Sequence, residues 1–89
     1  MSNVRIPPVL RTHTGGSREV TADGETVGSV LANLTSDYPG LREQLFEGDA
    51  LQRYVNVYVN DEDIQYLEKL STPVGPKDTV VILPAMAGG

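Results

Sequence analysis

The stretch from Asp23 to Gly40, DGETVGSVLANLTSDYPG, carries the period of a helix in a chain whose other patterned segments carry the period of a strand. Val27, Val30, Leu31, Leu34 and Tyr38 fall at i, i+3, i+4, i+7 and i+11, on one helical face. Thr26 is positioned as the N-cap, and Pro39 with Gly40 stops the helix. By contrast, Val55, Val57 and Val59 alternate with Tyr54, Asn56, Tyr58 and Asn60, the signature of a half-buried strand. One amphipathic helix must bury its stripe against an apolar sheet face. The pattern therefore predicts an α+β roll, a sheet with one main helix packed on one side.

The remaining segments fit around that pair. Val4 to Leu10 and Ser17 to Ala22 flank His13–Gly16, HTGG, and read as two strands of a hairpin joined by glycines that accept positive φ. Pro7 and Pro8 cannot donate to a ladder, so they are expected at a bulge or on a side free of hydrogen bonds. Leu41, Leu45 and Phe46 predict a short second helical turn, and Glu47 to Arg53 a loop. After Asn60 to Asp63 as a turn, Ile64 to Tyr66 reads as a short strand, and residues 67 to 77 as an irregular connection. DTVVILP, Asp78 to Pro84, is a continuous apolar run, which places it inside the sheet rather than at its edge. The whole, 1–89, is expected to form a single domain with a flexible C-terminal tail, 85–89.

Composition narrows the chemistry. The 89 residues include no cysteine, so the chain has no disulfide framework, no thiolate metal site and no nucleophilic sulfur of its own. Net charge is −5, and Arg5, Arg11, Arg18, Arg42, Arg53, Lys69 and Lys77 are scattered along the sequence, which argues against nucleic acid. An acidic surface suits partners with basic docking faces. MSNVRIPPVL lacks the basic segment and sustained apolar core of a leader, and no apolar run is long enough for a membrane span, so a soluble, cytoplasmic protein without a membrane partner is expected.

Side chains that could run an enzymatic reaction are few. His13 has no ligand cluster or nucleophile beside it and reads as an exposed turn residue. Asn60 to Asp63, NDED, lacks the spaced ligands and central glycine of a calcium loop and reads as a solvated hairpin turn. No metal site and no cofactor site is expected. Tyr54, Asn56 and Tyr58 lie on the strand face opposite the valines, and tyrosine there couples contact area to a polar tip, as partner surfaces do. The tail PAMAGG ends on Gly88 and Gly89, whose missing side chains would let it thread a narrow channel. Only a terminal carboxylate would then offer an acyl group for activation.

Taken with the strand order and the TGG after the first strand, IPPVLRTHTGG (Ile6–Gly16), YVNVYVNDEDI (Tyr54–Ile64) and VVILPAMAGG (Val80–Gly89) resemble the ubiquitin-like β-grasp sulfur carriers. Within that family the resemblance is strongest to the carriers of cysteine biosynthesis. It implies a β-grasp fold and a carrier rather than an enzyme. An E1-like adenylyltransferase/sulfurtransferase would adenylate Gly89 with ATP and replace AMP by sulfur, leaving a thiocarboxylate. A cysteine synthase that uses O-phosphoserine and pyridoxal phosphate would accept that sulfur, and a JAMM-type metalloprotease would release the cysteine formed on the tail. ATP and pyridoxal phosphate would belong to those partners. Ala85, Met86, Ala87 and Gly88 match the threading tail, while Leu83 and Pro84 would fix where it leaves the sheet. The small subunit of molybdopterin synthase, a sulfur donor for thiosugar or secondary-metabolite synthesis, a protein modifier, and an interaction domain with an inert tail remain alternatives.

Overall fold

In the computed structural model, which describes residues 1–84, the helical stretch forms α1, Val27–Asp37. Thr26 caps it in extended conformation. Its Oγ1 accepts from the Ser29 amide at 3.1 Å, and Ser29 Oγ accepts from the Thr26 amide at 3.0 Å, a reciprocal box that satisfies two otherwise unpaired donors. The Val27 amide is taken by Thr72 O at 2.9 Å. Replacing Thr26 by alanine is expected to cost about 1 kcal/mol, read as a lower urea midpoint at unchanged slope. Gly24 just upstream is obligatory: φ is +153°, and a Cβ there would stand 2.5 Å from the Val30 nitrogen. The helix stops before Pro39, as the sequence predicts.

Five strands form the main sheet, with β1 Ser2–Arg5, β2 Glu19–Ala22, β5 Val55–Val59, β6 Glu62–Asp63 and β7 Thr79–Pro84 in the order β2-β1-β7-β5-β6. β7 is central, parallel to β1 and antiparallel to β5, which explains its unbroken apolar character. Val4, Val57, Val59, Val80 and Ile82 point to one side and share a single core with Val27, Val30, Leu31 and Leu34 of α1. The 3₁₀ turn Pro39–Leu41 and the short helix α2, Arg42–Leu45, close one end through Leu41 and Leu45, both fully buried.

Several local expectations need correction. The first strand ends at Arg5, because Pro7 and Pro8 begin a 3₁₀ helix, Pro8–Thr14, where a missing N–H costs nothing; it buries Leu10 and stops at Gly15, φ +66°. Glu47 to Arg53 is not simply a loop, since Phe46–Glu47 (β3) and Ala50–Leu51 (β4) pair as a small hairpin. Ile64–Tyr66 is a 3₁₀ turn rather than a strand, as Asp63 Oδ1 accepts from the Gln65 amide at 2.9 Å and turns the chain so that Ile64 is buried. Finally, His13 is half-buried against Gly40, where an added Cβ would lie 2.6 Å from Nδ1.

Within NDED only Asn60 and Asp61, both with positive φ, make the tight turn; Glu62 and Asp63, expected in the turn, are β6 and pair back on β5. Asn60 Nδ2 donates to Asp78 Oδ1 at 2.7 Å, and Asp78 Oδ2 accepts from the Gly75 amide at 2.7 Å. Those bonds, the Gly75 amide first and Asn60 second, hold the Asp78 carboxyl below its ordinary value of 3.8. A lowered folded-state pKa contributes stability above the unfolded value and loses it as pH falls through the folded one. Asp78→Asn should therefore flatten the decline of the thermal midpoint as pH falls below about 4, measured against wild type.

Candidate functional site

The end of β7 is where the sheet hands the chain on to the tail. Alternation along β7 buries Val80 and Ile82 and turns Val81 and Leu83 to the opposite face. Leu83 is 48% exposed, high for a leucine in a central strand. Register sets Asn56 opposite Leu83 and Tyr58 opposite Val81, so these four residues share one outer patch. Asn56 and Tyr58 are half-buried there. Tyr54, 41% exposed, lies in the turn preceding β5 rather than in the strand itself. Pro84 pairs with Val55 through the backbone. Of the expected partner surface, the structure thus brings Asn56, Tyr58 and Leu83 together, with Tyr54 and Pro84 at its border. Ala85, Met86, Ala87, Gly88 and Gly89 lie outside the described residues.

Beside this patch runs a groove of about 570 Å³ between the 3₁₀ helix, the start of β2 and the end of β7. Ile6, Pro7, Pro8, Val81, Ile82 and Leu83 line it, and Arg5, Arg11 and Arg18 stand around it. Three of the seven basic side chains, scattered in sequence, are gathered in space, because the antiparallel β1–β2 pairing and the returning 3₁₀ helix bring them to one place. Arg11 Nε donates to Ile6 O at 3.0 Å, which fixes that guanidinium at the rim. Arg5 Nε is 4.0 Å from Glu19 Oε2, a solvent-exposed pair worth little in stability.

The described residues hold no group of three His, Cys, Asp or Glu able to grip a metal ion, and none of their helices is long and apolar enough to cross a membrane. What the patch and groove offer is contact: an apolar strip, amide and phenol groups for orientation, and positive charge at one side.

Residues 4–89 match the ThiS family. The chain belongs to that family. Sulfur carrier protein CysO of Mycobacterium tuberculosis is 46% identical over 89 residues, covering 97% of this chain and 96% of that protein. Among solved structures, a crystal structure of an Amycolatopsis orientalis BexX/CysO complex superposes with a TM-score of 0.93 at 44% identity, covering 100% of both chains. Small archaeal modifier protein 1 of Methanosarcina acetivorans superposes at 0.89 with 35% identity, covering 99% of this chain and 95% of that one. The ThiS-family match and these neighbours give the fold expected from sequence, a β-grasp roll with a mixed sheet and one main helix on one face. Sequence periodicity placed Tyr58 and Asn56 at the site; it could not place Val81 or the three arginines, which depend on pairing between distant strands.

Proposed function

We propose that this ThiS-family chain is a sulfur carrier that works through Gly89, with cysteine formation from O-phosphoserine as its route. The observation that carries this is the 46% identity, along nearly the whole length, to a sulfur carrier protein CysO. An E1-like enzyme would join the Gly89 carboxylate to AMP, releasing pyrophosphate from ATP. A sulfur nucleophile would then displace AMP and leave a thiocarboxylate, whose sulfur an acceptor enzyme takes up. The chain itself supplies reach and an acyl group and has no need of a bound cofactor. Leu83 with Asn56 and Tyr58 is the surface against which the partner would seat, so that the tail enters in one direction. The BexX/CysO complex of A. orientalis supports docking of a carrier of this shape onto a second protein.

Intact-mass measurement after incubation with the E1-like enzyme, ATP and a sulfide source tests the proposal. One oxygen replaced by sulfur is expected; an unchanged mass would rule out every carrier role. Adding O-phosphoserine and its cysteine synthase should then displace phosphate and leave the carrier heavier by the cysteine formed on its tail, and retention of the thiocarboxylate would move the assignment to another acceptor. A second reading, a protein modifier joined to lysines, is favoured by the likeness to a small archaeal modifier protein. It predicts ladders of heavier conjugates in cells instead.

A further inference from the structure

We propose that the groove beside the end of β7 docks an acidic, apolar-anchored segment of the enzyme that adenylates the tail. This rests on the sulfur-carrier function and adds the chemistry of the partner surface. Three of the chain's seven basic side chains meet at this groove in a protein of net charge −5, against a single acidic neighbour, Glu19. Positive potential is therefore concentrated at one place, next to the residue from which the tail departs.

The groove is built for a peptide rather than a small anion. Apolar Pro7, Pro8, Val81 and Leu83 line it together with the arginines, and its volume of about 570 Å³ far exceeds that of a phosphate ion. Pro7 and Pro8 present rigid walls with no backbone donor of their own to satisfy. Arg11 is already fixed by its Nε bond to Ile6 O, so its two terminal nitrogens can meet a carboxylate end-on with little loss of freedom. Arg18 is exposed and forms no side-chain ion pair among the described residues, while its backbone carbonyl accepts from the Ile6 amide at 2.8 Å and sets the side chain beside the groove. Carriers must meet and leave the adenylating enzyme at each turnover. Opposed charge at the rim speeds that encounter without demanding a tight complex.

Thiocarboxylation by the E1-like enzyme, followed by intact mass at several carrier concentrations and two salt concentrations, tests this. Arg18→Glu, and Arg5→Glu with Arg18→Glu, should raise KM roughly tenfold or more at low salt with kcat held, and the gap from wild type should shrink as salt rises. Lys77→Glu, the same change in charge outside the groove, should leave KM near wild type, and thermal melts should show all variants folded. Equal KM for wild type and the Arg18 variants would overturn the docking role while leaving the carrier function intact. An equal rise for Lys77→Glu would overturn it too, since only net charge would then matter. If wild type gains no sulfur at all, the carrier function fails and this inference falls with it.

Discussion

Removal of Gly88 and Gly89 abolishes conversion to the thiocarboxylate and leaves the unfolding midpoint near wild type. The two halves of this expectation come from different places. Chemistry requires the first: with Ala87 last, the carboxylate sits two residues short of the enzyme's reacting centre, and a misplacement of even about 1 Å can cost about a hundredfold in rate. Packing leads to the second, since the buried core of the described residues runs from Val4 to Ile82. A single intact-mass experiment beside a thermal melt reads both. Full conversion of the shortened chain would place the activated carboxylate elsewhere, and a loss of more than about 1 kcal/mol would make the tail structural.

Ile82→Ala lowers stability by about 2–5 kcal/mol, a large share of the 5–15 kcal/mol or so that holds a small domain together. Ile82 is 1% exposed and lies opposite Val57 at the centre of the sheet, so its lost atoms leave a cavity between strand and helix that rigid neighbours cannot fill. Leu83, one residue on, points the other way. Leu83→Ala should change stability by no more than about 0.5 kcal/mol yet weaken the carrier's encounter with its activating enzyme. Urea unfolding and thiocarboxylation kinetics on both variants separate the two effects. If Leu83→Ala unfolded the protein, or Ile82→Ala impaired only turnover, the division between core face and docking face would be wrong.

Local signals carried much of the fold. The helix from Val27, its Thr26 cap, its end at Pro39 and the buried valines of β5 all lie where periodicity and capping chemistry put them, because each depends on neighbours within a turn or two of the chain. Misreadings fell where two local rules competed. Pro7 and Pro8 interrupt a strand-like run but suit the start of a 3₁₀ helix, and the need to bury Leu10 decided between them. Ile64 looked like strand, yet the Asp63 side chain offered its backbone a turn instead. At the site, alternation revealed Asn56 and Tyr58, whereas Tyr54 lies just before the strand and shows more surface than either.

Sequence alone determined that one helix lies on a sheet and that the last strand is interior, and it offered the Gly89 carboxylate as the acyl group the proposed carrier function would use. Tertiary structure alone decided what surrounds the exit of the tail. Leu83 meets Asn56 across 27 positions of sequence, and Arg5, Arg11 and Arg18 meet Val81 only because β1 runs parallel beside β7. Hydrophobic period is a local property and survives in the one-dimensional pattern. Strand pairing is fixed by closing long loops around a shared core, so the neighbours it creates have no signature in the residues between them.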